Sequence, residues 1–201
     1  MKPIETVEEL ETLYGDPVPA SLSKVVTRIE GAYARWIAAS RFVVISTVGP
    51  DGTDGSPRGD IGPVAHLLEP NTLAIPDWRG NNRLDSLRNI VRDGRVSLMF
   101  MVPGAAAVIR VNGTAVLTAD PGMTGRFQVK GRHPTTVIVV TVTEAYVQCA
   151  KAILRSELWS AGDRSGDVPS VGDLISEASS GQAGGPSYDD RHAERAQDRM
   201  W

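Results

Sequence analysis

An antiparallel β barrel flanked by helices is the fold class this sequence predicts, and three observations predict it. Apolar, β-branched runs recur with little helix between them. Residues 41–48, a stretch from Gly55, residues 64–68, 72–75, 95–103, 107–118 and 135–148 make about six or seven strands. Turn signals part them at hairpin distance, as in Gly49-Pro50-Asp51-Gly52 and Glu69-Pro70-Asn71. The chain of 201 residues, 41% hydrophobic, suffices for one well-buried core and not for two full domains. Closing such a sheet on itself removes its exposed edges.

The elements follow in order. Residues 5–14 predict a short amphipathic helix, with Thr6 as cap, Val7, Leu10 and Leu13 on one side, and Gly15 and Pro17 ending it. Residues 28–40 predict a second helix, with Tyr33 and Trp36 in the core. The first hairpin spans the turn at Gly49; the second joins 64–68 to 72–75. Leu84, Leu87, Ile90 and Val91 recur at helical spacing, so 84–92 is a helix with one buried face. Residues 123–129 read as a short helix, and 135–148 is the most β-prone segment of the chain. From Cys149 to Trp159 the period changes to helical, with Ala150, Ile153 and Leu154 on one side and Lys151, Arg155 and Glu157 on another. A Gly- and Asp-rich loop (161–172), a short helix (171–178), a linker (179–187) and a charged end (188–201) anchored by Tyr188 and Trp201 complete the chain. The division expected is a barrel domain with N-terminal helices over 1–160 and a C-terminal extension over 161–201.

Composition excludes several roles. A formal net charge of −3 and a pI near 5.6 argue against nucleic-acid binding through bulk charge. No apolar run approaches the ~20 residues of a membrane span, and the N-terminus MKPIETVEEL lacks the apolar core of a signal peptide. A cytoplasmic protein is expected. Cys149 is the single cysteine, so no intrachain disulfide forms, and a small buried role is expected for it. His66, His133 and His192 stand far apart without metal-ligand spacing.

The chemistry concentrates in residues 76–83, Pro-Asp-Trp-Arg-Gly-Asn-Asn-Arg, a polar loop between a strand and a helix. An asparagine there caps free backbone N–H groups, Gly80 permits a turn, and Arg79 and Arg83 add cations beside the positive end of the helix dipole. Such a place attracts an anion. Residues 54–60 (DGSPRGD) offer a third arginine between small residues. A capped helix start with solvated arginines fits the loop taken alone equally well. Arg110 reads as an exposed strand arginine or a residue reaching the site.

Five segments in order carry a resemblance: SPRGD, IPDWRGNNRLDSLRNI, RVSLMFMVPG, IRVNGTAVL and CAKAILRSELW. Together they resemble the flavin-nucleotide-binding branch of the pyridoxamine 5′-phosphate oxidase superfamily, over roughly residues 34–159. The resemblance implies an FMN-binding split barrel, mainly β with flanking helices and Greek-key-like, usually built as a homodimer. It implies a phosphate held by Ser56, Arg58, Asn81 and Arg83, with Pro57 and Trp78 beside the ring edge. Asn82 suits ribityl or phosphate hydrogen bonds, and Trp78 or Trp159 can stack on a ring. Lys151 and Arg155 share a helix face and want an anion between them or from a partner subunit, with Trp159 beyond. The oxidases proper carry Ser-Arg-Lys where this chain has Asn81-Asn82-Arg83, so the oxidase reaction itself does not carry over.

Two function classes follow. One is a flavin-dependent oxidoreductase in which FMN carries the electrons and the protein supplies orientation and electrostatics. Its partners are a small-molecule substrate or a nicotinamide cofactor. The other is a carrier or sensor of FMN that turns over nothing, and a deazaflavin-dependent reductase keeps the same barrel with another ligand. No Ser/His/Asp set and no carboxylate pair suggests hydrolysis.

Overall fold

Alternation along the strands decides which side of the sheet is buried. In the computed structural model, which describes residues 1–149 and 151–198 (193–198 as backbone only), seven strands form: β1 (Phe42–Gly49), β2 (Gly52–Gly59), β3 (His66–Glu69), β4 (Thr72–Asp77), β5 (Arg95–Met101), β6 (Val108–Thr118) and β7 (Thr136–Gln148). All neighbours are antiparallel, in the order β2-β1-β5-β6-β7-β4-β3. Two hairpins thus flank a central β5-β6-β7 meander.

The order forces the sheet to roll up. Strands β2 and β3 lie at opposite edges, yet only residues 60–65 join them. Laid flat, seven strands would hold those edges ~29 Å apart, whereas the connection reaches about 25 Å fully extended. It is also pinned beside β1, where Asp60 N–H donates to Arg41 O (3.0 Å) and Val64 N–H to Ser40 O (2.9 Å). Among the described residues no ladder joins β2 to β3, so the barrel is split rather than closed.

Inside the curl, Val43, Ile45, Leu98, Phe100, Val111, Ile138 and Val140 form the core, with Leu73 and Ile75 from β4. A smaller cluster on the other side of β4 and β7 holds Ala74, Val137 and Phe127 against Trp78 and Met123. Opposite Asn112 and Gly113 of β6, Thr143 is an extra, unpaired residue on β7, and this bulge bends β7.

Helices precede the sheet, fill two of its connections and follow its last strand. Helix α1 (Val7–Tyr14) starts where predicted, with the Thr6 side chain accepting from Glu9 N–H, and α2 (Pro19–Ser23) follows. Helix α3 (Gly31–Ala39) is shorter than predicted because Ile29 N–H is spent on Pro70 O (2.6 Å), which holds the chain extended up to Glu30. Tyr33 and Trp36 pack against the core as expected. Helix α4 (Asp85–Arg92) lies over β1. Helix α5 is confined to Pro121–Thr124, not 123–129, because the Asp120 side chain caps it early and the chain then delivers Phe127 to the smaller cluster. Helix α6 (Lys151–Arg155) gives way to turns before Trp159, with Glu157 at φ 51°. Cys149 is exposed rather than buried, since it follows the last residue of β7.

The C-terminal stretch caps itself. Helix α7 (Val171–Ala178) opens on a Ser170–Asp173 capping box, and Asp189 of α8 (Pro186–Asp198) accepts from Ser170 Oγ (2.6 Å) and Gly172 N–H (2.8 Å). The predicted anchor Trp201, like Ala150, lies outside the described residues. Among those residues no helix is long and apolar enough to cross a membrane.

Candidate functional site

The barrel's inner face turns polar at one mouth. Along β2, Asp54, Ser56 and Arg58 stand opposite Thr47, Ile45 and Val43, whose side chains point into the core. Period two therefore aims all three β2 residues inward. On β4 the inward series Leu73, Ile75 continues to Asp77, which faces Thr136 of β7. Helix α4 and the preceding loop, residues 78–84, make the opposite wall. Between them lies a cleft of about 1130 Å³, lined by Ser56, Pro57, Arg58, Trp78, Asn81, Asn82 and Arg83 among others. That volume accommodates a nucleotide-sized ligand.

Seven of the ten sequence-predicted residues thus meet in one cleft. Lys151, Arg155 and Trp159 do not line it. The Trp159 indole instead donates to Ala105 O (2.9 Å), holding that stretch on the β5–β6 turn. Arg110 stacks over the Tyr146 ring, 5.3 Å from its centroid.

Local geometry departs from prediction at the start of α4. No asparagine caps the helix. Its first boundary residue is Leu84, in the left-handed conformation (φ 64°) with no capping side chain, while Asn81 Oδ1 accepts from Arg83 N–H (3.0 Å) one turn earlier. Asn82 is also left-handed (φ 61°). Two non-glycine residues in this region store strain of about 1 kcal/mol or more each. The first turn of α4 keeps backbone donors with no side-chain cap beside the cleft.

The charges are arranged unevenly. Arg58 Nε lies 3.3 Å from Asp77 Oδ1, both side chains being mostly buried (21% and 15% exposed). Arg58 Nη1 donates to Ser56 Oγ and to Pro57 O (3.0 Å). Arg83 pairs with Asp85 at the rim, with 80% of its side chain exposed, and Arg92 pairs with Asp51 (2.9 Å). Arg79 and Arg88 line the cleft with no ion-pair partner among the described residues. Two carboxylates are tied to neutral donors, Asp54 to Ser86 Oγ and Asp60 to Trp78 Nε1 (2.9 Å). That last bond, with the packing of Trp78 on the Ala74–Val137–Phe127 cluster, fixes the indole as a wall. Burial pushes the Asp77 carboxyl above the usual carboxylate range, and the Arg58 guanidinium pulls partly back. Arg58 Nε thus meets Asp77 as an ion pair outside hydrogen-bond geometry, and Thr136 Oγ1 is buried without a hydrogen-bond partner.

Asp77, Thr136, Asp60 and Ser86 went unassigned in the sequence. For Asp77 the signal was present: it stands two residues after inward Ile75, at strand period. Pro76 masked it by suggesting that the strand had ended. His66 and His133 act structurally. The His66 ring lies 4.9 Å from Phe127, and His133 Nδ1 meets Phe127 O at 2.8 Å.

Solved structures similar to this chain include a protein assigned to the pyridoxamine 5′-phosphate oxidases from Lactobacillus delbrueckii. It is 20% identical, with 60% of this chain and 95% of that one covered and a TM-score of 0.49. General Stress Protein 26 from Bacillus anthracis is 18% identical over 56% of this chain and 88% of that one, at a TM-score of 0.43. An F420 reductase is 17% identical over 58% and 98%, also at 0.43. No curated protein matches the sequence. Residues 29–149, more than half of the chain, match the family described as pyridoxamine 5′-phosphate oxidase and take in every strand of the barrel and both walls of the cleft. The chain belongs to the pyridoxamine 5′-phosphate oxidase family.

Proposed function

We propose that the cleft binds FMN and that the protein is a flavin-dependent oxidoreductase acting on a small molecule. The observation that carries this reading is the meeting, in one cleft, of the uncapped start of α4, arginines from both walls and an indole held against a packed cluster. A phosphate needs cations and N–H donors, which Arg58, Arg79, Arg88 and the first turn of α4 offer. An isoalloxazine needs an apolar wall, which Trp78, Val64 and Leu117 offer. When bound, FMN would supply the hydride or electron transfer, and the chain's residues would bind, orient and exclude water. Electrons would enter from a nicotinamide cofactor or a small-molecule substrate.

In the same reading the protein works as a homodimer. Phe42 and Met99, exposed on the outer face of the sheet, support a second copy there, and Lys151, Arg155 and Trp159 would act at the partner's cleft. The test begins with the visible spectrum of the purified protein and the identity of any chromophore that acid releases. Stoichiometric FMN, reduced by a nicotinamide cofactor faster than free FMN is reduced, supports the oxidoreductase. Bound FMN with no such acceleration points to a carrier or sensor. A colourless protein that refuses FMN and takes up a deazaflavin overturns the choice of cofactor.

A further inference from the structure

Asp77 stands where the inner face of β4 leaves the core. Ile75, two residues earlier, is fully buried, and Asp77 lies beside Arg58 at the floor of the cleft. Arg58 is the cation facing it; Ser56 Oγ and Pro57 O take the Nη1 hydrogens of the same guanidinium. From β7 the neutral Thr136 faces Asp77, its hydroxyl buried and without a partner. The other acidic groups of the cleft are engaged elsewhere: Asp60 with Trp78, Asp54 with Ser86, and Asp85 with Arg83. His66, on β3, responds to Asp60 and Arg126.

Arg79 and Arg88 belong to the opposite wall, so at the cleft floor one guanidinium, that of Arg58, faces both Asp77 and an incoming anion. A phosphate monoester carrying about −1.5 to −2 charges that is drawn to Arg58 meets the Asp77 carboxylate behind it. The carboxylate is the partner able to give way, because burial already disfavours its charged form and a ligand filling the cleft removes further water. A protonated carboxyl also gains an O–H to donate, with an unpartnered hydroxyl across the ladder. We propose that Asp77 takes up one proton from solvent when the cleft binds a phosphate-bearing ligand, so that a neutral acid and an anion share Arg58. This rests on the flavin-phosphate reading above.

The experiment is calorimetric titration of the full chain with FMN in two buffers of different ionisation enthalpy. It is run from pH 6.5 to 8 on the wild type and on Asp77→Asn, the neutral isostere. Above pH 7 the phosphate, with a second pKa of about 6, contributes little titration of its own. The wild type is expected to take up a proton that the variant does not, and to lose FMN affinity about threefold to tenfold more steeply per pH unit than the variant. Equal proton uptake and parallel profiles overturn the proposal. Should the variant fail to fold, ¹³C-carboxyl NMR of aspartate-labelled wild type decides instead: an Asp77 resonance that moves to the protonated position on adding FMN supports the proposal, and one that stays ionised overturns it. If FMN binds neither protein at any pH, the flavin reading falls. Inorganic pyrophosphate then replaces it as the probe of proton uptake, and its failure to bind overturns the proposal as well.

Discussion

Gly49 of β1 lies directly beneath Asn89 of α4: a Cβ at residue 49 would run into the Asn89 side chain, 2.9 Å from its Cγ. The missing side chain lets the helix settle on the strand. Asn89 Nδ2 then donates to Thr47 Oγ1 (3.2 Å), on a residue that is 3% exposed. Helix α4 is one wall of the cleft, and this is one of its contacts with β1.

Replacing Gly49 by alanine should therefore displace Asn89 and strand the Thr47 hydroxyl, lowering stability by about 1–3 kcal/mol. Removing the obstructing amide relieves part of that cost. Urea unfolding of Gly49→Ala, Asn89→Ala and the double variant should give a double-variant loss smaller than the sum of the singles; additivity would mean that the two residues do not meet.

Arg58 and Arg83 should contribute unequally to FMN binding. Arg58 is mostly buried at the cleft floor, and Arg58→Ala should weaken binding by about 1.5–3 kcal/mol, roughly 10- to 150-fold in Kd. Arg83 is largely exposed and already paired with Asp85, so Arg83→Ala should weaken binding less than Arg58→Ala does. Fluorescence-quenching titrations of both variants check the order, and equal losses would move the phosphate to the rim.

How much of this was legible in the sequence follows the range of the cause. The strands were legible because period two is local, and so was the start of α1, where Thr6 caps within its own turn. The start of α4 was not: Leu84, 44% exposed, takes the left-handed conformation that leucine seldom adopts, and no residue type announces that. Nor was the Arg58–Asp77 pair, which joins strands that meet only after the sheet has rolled up. Pro76 pointed away from a strand, yet it fits at the end of β4, since β3 pairs only as far as Ala74. Asn81 was correctly placed near the helix and misread in its bond, because it turns the chain before α4 instead of capping it.

His66 gives the barrel a pH dependence of definite sign. Burial lowers its pKa below 6.5, Asp60 opposing and Arg126 reinforcing the shift. The unfolded chain therefore binds the proton more readily, so stability is lost as pH falls through 6.5 toward the folded-state value. His66→Gln, neutral throughout, should lose less stability than the wild type between pH 7 and 5. Parallel denaturation profiles would show that His66 titrates alike in both states. Asp77 acts with the opposite sign: its folded pKa is raised above 3.8, so its contribution declines as pH rises from 3.8 through the raised value.

Asp189 should hold the C-terminal helices together without touching the barrel. Its carboxylate accepts from Ser170 Oγ and Gly172 N–H at the start of α7, and Gly184 approaches too closely for any side chain, 2.6 Å from Ser176 N for a Cβ built there. Both groups belong to residues outside the family match, which ends at residue 149. Asp189→Ala removes a charged acceptor from a helix start, worth about 0.5–2 kcal/mol locally. Hydrogen exchange should accelerate across 171–190 while the amides of β1, β5 and β6 keep their protection. A uniform loss of protection would mean that these helices and the barrel unfold as one unit, and that the extension contributes to the stability of the cleft.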